Sequence, residues 1–285
     1  MKRFIFFLIS LFFSIQPGFV SSHLAAEKEE STVKKQLKSG LNVTQVSYRN
    51  WSAGGEDALS WTARVDGLFE QTRNKFFHRW RVELEFGQVR QDDESPRVSA
   101  NKIHFDCMLA WKVGILVNPF LSLRMDTQMT RAYDYDKQPR VAKADFLDPV
   151  ILQQSAGIGF NPVKSTKTRF GVGLKETRTE EFTVYSDNPS TAGVEKLKIE
   201  TGIDHTTEIN KKFNENLTLK SRLELFTSFE NFSTVDVRWQ NDLQAKVARY
   251  VAVNIRTNYL YDKDVTTKSQ FMNAITVGLT YDFFE

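Results

Sequence analysis

The sequence predicts an all-β chain that closes into an antiparallel transmembrane β-barrel of about twelve strands. Three observations predict it: apolar and charged residues alternate with period two in segment after segment, connections alternate between long and short, and the chain opens on an export signal. A strand sends successive side chains to opposite faces, so such alternation gives each segment one apolar and one polar face.

The opening MKRFIFFLISLFFSIQPGFVSS sets Lys2 and Arg3 before an apolar run from Phe4 to Ile15, followed by Pro17, Gly18 and small residues. This is the layout of a secretory signal peptide, and the run falls short of the roughly 20 apolar residues of a spanning helix. Val20-Ser21-Ser22 is the expected cleavage site, which puts the signal peptide at 1–22, with a cut after Ala25 or Ala26 as competitor. No cysteine lies near it, so a lipoprotein anchor is excluded. Residues 23–39, with Glu27-Lys28-Glu29-Glu30 and Lys34-Lys35, read as a solvated periplasmic tail, and the barrel is expected over 40–285.

Weak alternation near 40–50 and 58–70 supplies the first two strands. In FHRWRVELEF, Phe76, His78, Trp80, Val82, Leu84 and Phe86 form one row and Arg79, Arg81, Glu83 and Glu85 the other. Next, Ile103, Phe105, Cys107, Leu109 and Trp111 oppose Lys102, His104, Asp106 and Lys112, and Leu121, Leu123 and Met125 oppose Arg124 and Asp126. Segments near 149–160, 167–177 and 195–209 follow with weaker alternation. Leu217, Leu219, Leu223 and Leu225 then oppose Lys220, Arg222 and Glu224, and Val235, Val237 and Trp239 oppose Asp236, Arg238 and Gln240. Val251, Val253 and Ile255 oppose Asn254 and Arg256, and the last segment runs from Phe271 to Phe283. Two details break the pattern: Asn241 and Asn273 fall on apolar rows, and the first strand changes phase between Val43 and Val46. A bulge or a position at an interface would account for either.

With the N-terminus in the periplasm, the outer connections read RNWSAGGEDA, VRQDDESPRVSA, RAYDYDKQPRVAKADFLDP, EFTVYSDNPSTAGVEK, ENFST and DKDVTTKS. The inner ones read TRNK, VGILVN, NPVKSTK, NKKFNEN and ARY. Long outer loops and short periplasmic turns are the asymmetry of bacterial outer-membrane barrels. NWSAGGED is therefore a hairpin loop at the outer rim, in which Gly54 and Gly55 turn the chain and Trp51 sits near the interface. A phosphate-binding loop would need a helix after it, and no helical pattern is present.

The charged rows define the candidate site. Arg79, Arg81, Glu83, Glu85, Lys102, Asp106, Arg124, Asp126, Arg222, Glu224, Arg238, Asp242 and Arg256 all fall opposite the apolar rows. A Lys or Arg facing lipid at mid-membrane costs about 2–4 kcal/mol, so these residues are expected to line the lumen. Two readings follow. Either opposite charges interlock into a plug and the barrel is structural or surface-binding, or part of the lumen stays wet and conducts small polar solutes. The narrow channel is the reading preferred here.

Other chemistry finds less support. A lipid hydrolase would need a His beside an exposed Ser; His23 is in the tail, His78 on an apolar row, His104 on the lumen row and His205 on the weakest strand. Asp134, Asp136, Asp145 and Asp148 lack the spacing of a calcium loop, and His and Cys are too sparse for zinc. Gly157-Ile-Gly159 and Gly171-Val-Gly173 lie in expected strands, where glycine relieves crowding. The net charge of +3 is spread evenly, which argues against nucleic-acid binding. No catalytic residue, metal or cofactor is expected. The expected partners are outer-membrane lipid, lipopolysaccharide and the barrel assembly machinery, which the alternating aromatic C-terminus from Gly278 to Glu285 resembles a signal for.

NWSAGGED, RAYDYD, ADFLDP, VDVRWQ and YLYDKDV, in that order, resemble an uncharacterised domain-of-unknown-function family of predicted Gram-negative outer-membrane β-barrels. The resemblance spans nearly the whole exported chain. It implies the barrel fold and an outer-membrane location, and it brings neither an activity nor functional residues.

Overall fold

Period-two rows become strands because each then has an apolar face to turn outward and a polar face to turn inward. The computed structural model describes residues 31–46, 57–92, 94–113, 117–135, 137–263 and 268–284. Its first five strands are β1 (Ser31–Val46), β2 (Ala58–Arg73), β3 (Phe76–Gln91), β4 (Arg97–Trp111) and β5 (Asn118–Thr127). A small hairpin follows, β6 (Ala132–Asp134) with β7 (Val141–Ala144), and then β8 (Val150–Val163), β9 (Thr166–Arg178) and β10 (Leu197–Lys212). The chain ends with β11 (Leu217–Ser228), β12 (Asp236–Lys246), β13 (Val251–Tyr261) and β14 (Gln270–Phe284).

All strands except β6 and β7 form one closed antiparallel ring of twelve, in chain order, with β1 sealing against β14. Closure pairs both edges of every strand, which a sheet in hydrocarbon requires. The β2–β3, β4–β5, β8–β9, β10–β11 and β12–β13 connections are short and share one end of the barrel, the turn end. The longer connections share the other, the loop end. The proposed signal peptide and the rim residues Trp51, Gly54 and Gly55 lie outside the described residues.

One boundary differs from expectation. Residues 31–39, read as tail, belong to β1, which pairs with β2 without a break from Ser31↔Arg73 to Val46↔Ala58. Lys35 hid this, because it breaks the apolar row of Val33 and Leu37, whereas Lys34 lies on the inward row opposite Glu70. Both lysines are exposed at the turn end, and the Lys35 ammonium stands 5.9 Å from the Phe69 ring centre. A register shift lies between Leu37 and Lys38, against β14, and none interrupts the pairing of Val43 to Val46 with β2.

The outward rows are apolar and exposed: Phe76, Leu121, Val172, Ile203, Trp239, Ile275 and Leu279 all face away from the lumen. Asn241 and Asn273 are exceptions with a shared cause. Registers align Ser221↔Asn241↔Thr257↔Asn273 across four adjacent strands. In this polar stripe Asn241 Nδ2 donates to Thr257 Oγ1 at 3.3 Å, and Trp239 Nε1 to Ser221 Oγ at 3.1 Å. A polar group in a dry setting is tolerated when bonded; Asn241 is so bonded, and Asn273 stands opposite Thr257 in the same row.

The glycine pairs serve close packing. Gly157 and Gly171 are register partners, and a Cβ on Gly157 would lie 2.0 Å from the Phe170 carbonyl oxygen. The Phe120 ring packs over this pair from within, 3.3 Å from the place of a Gly171 Cβ. Phe226 covers Gly173 and Gly202 in the same way nearer the loop end. These inward rings fill space that the glycines open.

At the loop end, the ADFLDP segment works as a clamp. The Asp148 carboxylate accepts backbone N–H bonds from Glu180 (3.1 Å), Glu181 (2.7 Å) and Phe182 (3.4 Å). Arg131 adds bridges to Asp145 (3.1 Å) and Glu181 (2.6 Å). The two longest loops are thereby tied together. Asp134 meets Lys143 at 3.3 Å, so these acids bond separate cations and amides rather than converging on one point. Asp136 lies outside the described residues.

Candidate functional site: a bridged lumen

Inward rows on opposite walls place their charges where long side chains meet across the barrel. Arg79 on β3 donates to Glu208 on β10 at 2.7 Å, although these strands stand five places apart around the ring. Its other nitrogen donates to Asp106 on β4 at 2.7 Å. Arg222 on β11 reaches Glu208 at 2.9 Å and Asp106 at 3.3 Å. Arg81 lies 3.5 Å from Glu208. Arg79 and Asp106 are 1% and 0% exposed, so water does not reach this pair.

A second tier lies nearer the loop end. Arg238 on β12 donates to Asp126 on β5 at 2.8 Å, again five places around the ring. Arg124 meets Glu224 on β11 at 2.6 Å and bonds Gln153, whose amide donates to Asp204 at 2.6 Å. His104 links the tiers. Arg222 donates to its Nε2 at 3.1 Å, so Nε2 accepts, and Nδ1 carries the proton that it donates to Asp126 at 2.7 Å. Both ring nitrogens are thus engaged, which leaves no free base there.

The remaining charges form a side cluster. Arg256 on β13 grips Glu85 on β3 through both carboxylate oxygens at 2.7 and 2.8 Å, and Asp242 at 2.6 Å. Arg64 lies 2.7 Å from Asp66 and 3.7 Å from Asp242, and Lys102 donates to Glu83 at 2.9 Å. All thirteen charged residues singled out in the sequence therefore meet an opposite charge inside the ring. Such bridges hold because each ion's desolvation is offset by several partners at once.

Three contributors escaped the sequence reading. Glu208, Asp204 and Arg169 sit on β9 and β10, where His205, Thr207 and Thr168 make the outward rows polar too and blur the alternation. His205 and Thr207 bond each other at 3.1 Å, and Thr207 bonds Thr168 at 2.6 Å. Continuing the parity of Arg222 and Glu224 across the β10–β11 register would have assigned Glu208 inward.

Below the first tier, at the turn end, lies a cavity of about 170 Å³ lined by Phe77, Met108, Phe120, Lys112, Lys167 and Arg169 among others.

Residues 43–133, from β1 into β6, match the model of a protein family of unknown function, DUF3078. The match takes in NWSAGGED, while ADFLDP, VDVRWQ and YLYDKDV lie beyond it. No curated protein sequence matches the chain. Among solved structures, the chain is similar to an outer membrane channel from Pseudomonas putida F1, with 8% identity, 92% of this chain and 99% of that one covered, and a TM-score of 0.42. It is similar to the translocator domain of the autotransporter NalP from Neisseria meningitidis, at 9% identity, 92% and 90% coverage and a TM-score of 0.40. It is similar also to the outer membrane channel DcaP of Acinetobacter baumannii, at 9% identity, 92% and 100% coverage and a TM-score of 0.32. These are likenesses of architecture alone.

Proposed function

We propose that the protein is an outer-membrane barrel whose lumen is held shut at rest by its ion-pair tiers, and that it passes small polar solutes only when those pairs exchange partners. The supporting observation is the wall-to-wall bridging of Arg79–Glu208 and Arg238–Asp126. An open pore would leave these side chains along separate walls. Exchange is plausible chemistry because every bridging carboxylate has a second cation within reach: Glu208 has Arg222, and Asp126 has Arg124 at 3.6 Å. A pair that swaps partners opens a gap without ever leaving a charge bare.

The apolar outer rows supply the lipid contact, with the turn end in the periplasm and the clamped loops outside. Outer-membrane lipid, lipopolysaccharide and the barrel assembly machinery are the partners of this reading, and no enzymatic role is assigned. The clamp built on Asp148 also suits the second reading, a plugged barrel that presents a rigid outer surface.

Planar-bilayer recording tests the choice. Wild type is expected to give brief, small openings, and Glu208→Gln larger and longer ones. Steady, wide conductance from wild type would contradict the plug. Silence from both proteins, each folded by heat-modifiable migration, would leave the structural reading.

A further inference from the structure

The turn-end cavity has a composition that the plug does not use. Its walls include Phe77, Met108 and Phe120, and four cations line it, of which Arg79 is held by the plug and Lys112, Lys167 and Arg169 are not. The Lys112 and Lys167 ammonium groups stand 5.7 and 5.5 Å from the Phe77 ring centre, and the Arg169 guanidinium stands 5.7 Å from that of Phe120. The rim lysines are exposed and hold one weak partner each, the Thr72 hydroxyl at 3.1 Å and Glu70 at 3.2 Å. Two acids lie close, and both are taken: Glu208 by Arg79 and Arg222, and Asp106 by the same two arginines.

Arg169 is the unusual member. It is 7% exposed, yet its Nε has no hydrogen-bond partner and its Nη1 reaches only the Met108 sulfur at 3.5 Å. Its Nη2 lies 3.5 Å from an Asp106 oxygen that accepts no hydrogen bond. A guanidinium carries five donors, and leaving them buried and unbonded is unfavourable. An oxyanion in the cavity would satisfy the fork in a bidentate pair. The aromatic and thioether walls ask in addition for an apolar body. The volume sets its size, since an apolar cavity of about 150 Å³ accommodates benzene.

We propose that this cavity binds a small amphipathic monoanion, a carboxylate carried on a single aromatic ring or short alkyl chain. Arg169 takes the carboxylate, and Phe77, Met108 and Phe120 cover the apolar part. Binding needs the folded barrel and not conduction, so silent bilayers with intact binding remove only the channel reading.

Calorimetric titration of the barrel in lipid nanodiscs tests this with benzoate as probe, against its neutral isostere benzamide, inorganic phosphate and empty nanodiscs. Saturable benzoate binding is expected, with benzamide and phosphate weaker by about tenfold or more. Arg169→Gln is expected to weaken benzoate by a similar factor, and Ala110→Leu, which fills the cavity and keeps the cation, to abolish it. No saturable benzoate heat, equal binding of benzamide, phosphate as tight as benzoate, or undiminished benzoate binding in Ala110→Leu would each overturn the proposal. If Arg169→Gln fails to fold, the ligand series and Ala110→Leu still decide.

Discussion

Two places inside the barrel are built on one plan and finished differently. At the loop end, Phe226 covers Gly173 and Gly202, and the Lys175 ammonium stands 5.7 Å from its ring centre. At the turn end, Phe120 covers Gly157 and Gly171, and the Arg169 guanidinium stands 5.7 Å from its ring centre. In each, absent Cβ atoms let a ring settle against the wall, and the ring's face then holds a cation. The difference lies in the counter-charges. Lys175 has Asp236 at 2.7 Å, Asp262 at 3.3 Å and Glu200 at 3.7 Å. Arg169 has one carboxylate, at 3.5 Å, which is already shared with two other arginines. Geometry alone therefore does not make a binding site. A cation whose charge is spent on its own chain is structural, and one left short of acceptors is available to a ligand.

The largest test of this contrast is to delete the two cations. Lys175→Met takes the shared cation from three acids, of which Glu200 keeps Lys198 at 3.2 Å, and breaking a buried pair from one side costs about 3–5 kcal/mol. Arg169→Met leaves Asp106 with two arginines and is expected to change stability by no more than about 1 kcal/mol. Urea unfolding in lipid vesicles measures both; equal losses would erase the distinction. The rings come next. Phe226→Ala, in a closed setting, is expected to cost about 3–5 kcal/mol, and Phe120→Ala less, because it borders a cavity already open. A reversed order would place the tighter packing at the turn end.

Both units presuppose that their row faces inward. Ile255→Arg, on the outward row of β13, is expected to lose about 2–4 kcal/mol, whereas Gln240→Arg on the inward row of β12 is expected to lose far less. Similar losses by the same unfolding assay would mean the rows are assigned to the wrong faces. The smallest effect belongs to the polar stripe: Asn241→Leu removes one sideways hydrogen bond and one lipid-facing amide together. It is expected to stay within about 1 kcal/mol of wild type.

The barrel was legible in the sequence wherever one row was charged and its neighbour apolar, as from Phe76 to Phe86, because lipid outside and counter-ions inside reward that split. Legibility failed for two physical reasons. On β1 the outward row carries Lys35 between Val33 and Leu37, so pairing with β2 rather than hydrophobicity makes the strand. On β9 and β10 both rows carry polar groups, so Arg169 and Glu208 were missed although they stand beside the plug. Parity alone assigned the thirteen charges to one face. Their partners were not legible, since residues such as Glu85 and Arg256 are joined by barrel closure rather than by any local spacing. Inward aromatics gave no signal either, for Phe120 and Phe226 look like neighbours of apolar rows until the register sets them over glycines.

The central claim is contact across the lumen, and a double-mutant cycle on Glu85 and Arg256 tests it most directly. These residues belong to strands four places apart around the ring and meet through two hydrogen bonds. Unfolding of Glu85→Gln, Arg256→Met and the double variant is predicted to give a coupling of about 0.5–3 kcal/mol, the range for side chains in contact. Additive losses, with all three proteins folded, would mean that these two walls do not touch and would contradict the bridging.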